Sequence, residues 1–188
     1  KADFTILKEE HIDELEAQIS AIEGYFVKEI IEGSERVHLN FDTVVNLLPE
    51  YKGYKGPGDL FQGVTFGEFV ECYTVVECLD GAAPEAIAEG YEHIARTLYH
   101  IPDTAPVPDL LTFHAPKLFS SVWKAIQSGP IEINGKKIDF RIIFKSTGNT
   151  KPNDKTGWTG ITFEVATAGL FGNVSQVEKA DMWAVLIY

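Results

Sequence analysis

Pro152-Asn153-Asp154-Lys155-Thr156-Gly157-Trp158-Thr159-Gly160-Ile161-Thr162-Phe163-Glu164-Val165-Ala166 sets two carboxylates, Asp154 and Glu164, ten residues apart around a turn and a β-rich run. Asn and Asp suit the tight backbone of the turn "KPNDKTG". Trp158 to Thr167 then reads as a strand, Gly169 to Lys179 as a loop and short helix, and Met182 to Tyr188 as a second apolar strand. A turn acid and a strand acid at this spacing can meet at one divalent metal. The plainer reading makes Asp154 a turn residue and Glu164 an exposed strand residue between buried Phe163 and Val165.

An acid, a strand carrying E-x-K, a helix and a strand such as "KADMWAVLIY" form the order found in PD-(D/E)XK nucleases, which the last third of the chain resembles. The ten-residue gap is similar to that of some type II restriction endonucleases. One position departs: the lysine expected two residues after Glu164 is Ala166. The resemblance implies a restriction-endonuclease-like mixed β-sheet core flanked by helices; with a helical N-terminal part, read from apolar spacing, the expected fold is α+β. It also implies Mg²⁺, which takes hard oxygen ligands and activates water for phosphodiester hydrolysis. Asp154, Glu164 and the Val165 carbonyl would be its protein ligands, and double-stranded DNA the substrate. Cutting both strands of a symmetric site calls for a homodimer.

A lysine at 166 would orient or deprotonate the attacking water, and alanine does neither. Either Lys145, Lys151 or Lys179 takes that role, or the chain is an inactivated variant; Gln176 is a further polar contact of this kind. Asp139, 25 residues before Glu164, competes with Asp154 as first acid. Lys137 and Arg141 beside it give Asp139 a cross-strand salt-bridge role instead.

The chain of 188 residues carries a net charge of −12, which opposes binding to phosphate backbones unless the charge is unevenly spread. Residues 131–160 hold Lys136, Lys137, Arg141, Lys145, Lys151 and Lys155 against Glu132, Asp139 and Asp154, a local +3. Lys145, Lys151 and Lys155 are therefore the expected nucleic-acid contacts. The remainder, at −15, supports a reading from another class: a non-catalytic acidic interaction or immunity protein that binds a basic partner.

With 45% hydrophobic residues, the chain is long enough for one domain, 1–188, with a mainly helical front (1–101) and the candidate nuclease core behind it (109–188). "IPDTAPVPD" is the expected hinge. No apolar run is long enough to span a membrane, and the charged N-terminus does not read as a secretory signal, so a soluble cytoplasmic protein is expected. Cys72 and Cys78 form no disulfide framework and are expected to be buried thiols.

Ile12, Leu15, Ile19, Ile22 and Phe26 recur at helical spacing, predicting a helix from Lys8 to Ile31 and a possible dimer seam. Asp42 is expected to cap a short helix through Leu48, with Tyr51 and Tyr54 in the following loop covering the core. Further helices are predicted over Val64–Leu79, Pro84–Ile101 and Ala115–Gln127. Asn134-Gly135 predicts a type I′ hairpin, with Ile138, Phe140, Ile142 and Phe144 facing inward. The five histidines are scattered and no serine lies in a G-x-S-x-G elbow, so core, cap or surface roles are expected for them.

Overall fold

The computed structural model describes residues 19, 23–31, 33–133, 135–141 and 157–188. Three helices build the scaffold: α1 (Phe66–Cys78), α2 (Pro84–Leu98) and α3 (Asp109–Ser128). Thr65 starts α1 with a capping box: its hydroxyl accepts from the Glu68 amide, and the Glu68 carboxylate accepts from the Thr65 amide at 2.8 Å. Pro84 opens α2, where its missing N–H costs nothing. Buried residues recur at three- and four-residue steps along each helix: Phe66, Phe69 and Cys72 in α1, Ile94, Ala95 and Leu98 in α2, Leu111, Ala115, Leu118, Val122 and Ile126 in α3. They join one continuous core.

The helix predicted from Ala115 begins at Asp109, so Pro116 lies inside it and is buried. Its ring leaves the Thr112 carbonyl without the usual intrahelical donor. The proline-rich connection before α3 is clamped by Arg96, whose guanidinium donates to the carbonyls of Pro102 and Ala105, the latter at 3.1 Å. Glu92 holds the other nitrogen at 2.9 Å.

Strands are present only as three separate antiparallel pairs among the described residues: β1 (Phe26–Ile31) with β2 (Ser34–Leu39), β3 (Glu50–Tyr51) with β4 (Tyr54–Lys55), and β5 (Pro130–Ile133) with β6 (Lys136–Asp139). The fold class is α+β, while the expected mixed sheet is not found among these residues. The hairpin expected at 134–135 is present: Ile133 pairs with Lys136, and Gly135 takes φ +75°. Tyr51 is buried and Tyr54 half-buried, as expected for a loop over the core.

The N-terminal helix expected to reach Ile31 gives way to a strand at Phe26. Phe26, Val27, Ile30 and Ile31 favour a pleated backbone, and Gly33 at φ +77° turns the chain back onto β2. The stripe at Ile12, Leu15 and Ile22 lies outside the described residues. Asp42 heads no helix. Residues 41–49 are irregular, with the Asp42 carboxylate paired to Lys124.

The largest corrections fall at the C-terminal end. The strand expected over Trp158–Thr167 is helix α4 (Gly157–Ala168), and the strand expected over Met182–Tyr188 is helix α6 (Met182–Ile187), with α5 (Val174–Glu178) between them. Trp158, Ile161, Thr162 and Val165 fall at helical spacing, while Ile161, Phe163 and Val165 also alternate. The core decides between the two. Trp158 seats against Phe66, Phe69, Tyr73 and Trp123, with centroids 5.2 Å from Phe69 at 89°. Asp181 caps α6 by accepting from the Ala184 amide, and Trp183 donates its indole N–H to the Leu60 carbonyl at 2.8 Å.

Candidate functional site

Of the residues that the nuclease resemblance singled out, Glu164, Val165, Ala166, Gln176, Lys179 and Asp139 lie among the described residues. Asp154, Lys145, Lys151 and Lys155 lie outside the described residues. Glu164, Val165 and Ala166 stand on α4, with Glu164 exposed and the other two half-buried against the core. A helix aims its carbonyls along its axis and its side chains outward. The strand geometry that would bring Glu164 and the Val165 carbonyl to one ion is therefore replaced. Lys179 and Gln176 are exposed, and Gln176 is occupied in the capping box with Asn173 at the start of α5. Asp139 grips the Arg141 guanidinium through both oxygens, at 2.8 and 2.6 Å; the salt bridge joins residues two apart on one segment, where a cross-strand pair was expected.

Buried polar chemistry is concentrated at His114 on α3. Its Nε2 lies 2.8 Å from Asn46 Oδ1 and its Nδ1 2.7 Å from the Tyr25 hydroxyl. Because the amide oxygen of Asn46 only accepts, Nε2 carries the proton and Nδ1 accepts from Tyr25. Asn46 also accepts from the Leu48 amide and donates to the Pro57 carbonyl, and Tyr99 donates to the Leu48 carbonyl at 2.8 Å. Burial lowers the His114 pKa to about 4 and raises that of Tyr25 to about 12. Tyr25, Asn46, Tyr99 and His114 are all buried. Their network joins Tyr25, the irregular 41–49 segment, the end of α2 and α3, which is a structural role for this histidine.

Of the two cysteines, Cys72 is buried, and desolvation raises its thiol pKa. Cys78 is exposed, contrary to expectation. It stands in the last turn of α1, whose buried side is made by Phe66, Phe69 and Cys72.

Charge singles out a different surface. Residues 66–98, spanning α1 and α2, carry Glu68, Glu71, Glu77, Asp80, Glu85, Glu89 and Glu92 against Arg96 alone. That is half the net charge of the chain in one helical hairpin. All of these acids except Glu68 are exposed. Arg96 is already engaged by Glu92, and His93 binds one Glu71 oxygen at 2.7 Å.

Beside this face lies a groove of about 490 Å³ between α1, α4 and α5, lined by Gly67, Val70, Glu71, Thr159, Thr162, Phe163, Val174 and Glu178. Gly67 sets its floor. A Cβ there would stand 3.0 Å from the Glu178 carbonyl oxygen, so the missing side chain lets α5 approach α1. The acidic composition was readable from sequence. The groove was not, because it needs α4 to be a helix.

Among the described residues, no helix is long and apolar enough to cross a membrane. Comparison with known protein families, curated proteins and solved structures finds no match to this chain.

Proposed function

We propose that this chain is a non-catalytic acidic interaction protein that binds a basic partner through the α1–α2 hairpin. The observation that carries this reading is the run of seven acids, six of them exposed, against one already paired base on two packed helices and the turn that joins them. A one-signed surface raises the encounter rate with an oppositely charged partner and repels polyanions. Titration of a fluorescent octa-arginine peptide tests it. The chain binds the peptide, and affinity falls about tenfold when Glu77, Glu85, Glu89 and Glu92 are changed together to Gln. Equal affinity of the variant contradicts the assignment to this face.

A Mg²⁺-dependent endonuclease acting on double-stranded DNA as a homodimer is the competing reading. It rests on the Asp154–Glu164 spacing and on the basic 131–160 segment. Incubation with plasmid in Mg²⁺ or EDTA separates it from the first: metal-dependent cutting, abolished by Glu164→Gln, supports the nuclease.

A further inference from the structure

We propose that the groove between α1, α4 and α5 receives an arginine side chain of the basic partner, an inference that rests on the acidic-interaction reading and deepens it. Val70, Val174 and Phe163 supply apolar surface for the methylene stem. The Phe163 ring, on a residue 56% exposed, offers a face on which a planar guanidinium stacks. Glu71 and Glu178 border the same space. Glu71 uses one oxygen for His93, and Glu178 makes no ion pair with another described residue. Two carboxylates on an apolar groove with an aromatic wall are complementary to a cation on an aliphatic stem. They disfavour an anionic or purely apolar occupant, which would partly desolvate both charges and leave that of Glu178 unpaired.

The volume exceeds what one side chain fills and lies in the range of ligand sites, leaving room for an apolar neighbour of the arginine. The groove also continues the acidic face, since Glu71 belongs to both. A basic segment steered onto α1–α2 thus reaches a place where one of its side chains is held by shape as well as by charge.

Isothermal titration of the full chain with a leucine-flanked arginine peptide, and with the same peptide carrying neutral citrulline for arginine, tests this. The arginine peptide is expected to bind about tenfold more tightly than the citrulline peptide. Phe163→Ala combined with Glu178→Gln should erase that difference, whereas Glu132→Gln, the same loss of charge on β5, should keep it. Thermal melts by circular dichroism verify that each variant is folded. Retained discrimination in a folded Phe163→Ala, Glu178→Gln variant overturns the groove while leaving the acidic-interaction reading in place. Failure of the unmodified chain to bind either this peptide or octa-arginine overturns both.

Discussion

His114 is the residue at which burial has a measurable consequence for the molecule. Its neutral imidazole is fixed by Asn46 and Tyr25 and its pKa is lowered to about 4, while the unfolded chain takes up a proton at about pH 6.5. Between these values the unfolded state binds more protons, so stability falls as pH falls. The contribution is intact above pH 6.5 and is lost on the way down to pH 4, about 3 kcal/mol in all. Urea unfolding at pH 7, 5.5 and 4.5 should show this loss in the unmodified chain relative to His114→Ala, which is less stable at pH 7 because it empties a buried network. A pH-independent difference between the two contradicts the assignment. Gly67 gives a second prediction. Alanine normally improves a helix by about 1 kcal/mol, but here its Cβ meets the Glu178 backbone oxygen. Gly67→Ala should therefore lower stability, by about 1 kcal/mol, read as a reduced urea midpoint.

At the scale of elements, Trp158 decides the form of the C-terminal end. Its ring touches four aromatic residues of α1 and α3, which a strand would present on the wrong period. Trp158→Ala should cost about 3 kcal/mol and reduce helical circular dichroism as α4 loosens; unchanged helicity and stability contradict this packing. The same element explains what was legible in the sequence. α1 and α2 could be read because apolar residues, Thr65 and Pro84 all pointed to one period and one start. The 134–135 hairpin could be read because an Asn-Gly pair leaves few alternatives. In "GWTGITFEVATA" alternation and helical spacing coexist, so only the tertiary partners of Trp158 choose between them. "MWAVLIY" is apolar throughout and carries no period at all; its helical signal was Asp181, three residues before the amide that it caps. The nuclease resemblance drew on the strand reading of both segments. The groove depends on the helix reading of the first.

Over the whole molecule, charge is the property most visible in the sequence and the one that the fold organises. Counting along the chain isolates the basic 131–160 segment, whose most basic part lies outside the described residues. Folding sets seven acids on α1, α2 and the turn between them beside a groove bordered by two carboxylates. A partner drawn to that face by charge should bind less tightly as salt screens it, because the Debye length shrinks from about 10 Å at 0.1 M salt to about 3 Å at 1 M. The most direct test is a competition measured by fluorescence anisotropy. Labelled octa-arginine and a labelled DNA duplex are each titrated with the chain in Mg²⁺ at low and high salt. The acidic-interaction account predicts that the peptide binds, that its affinity falls steeply with salt, and that the duplex is neither bound nor cut. Binding and Mg²⁺-dependent cleavage of the duplex, with the peptide ignored at low salt, would contradict it.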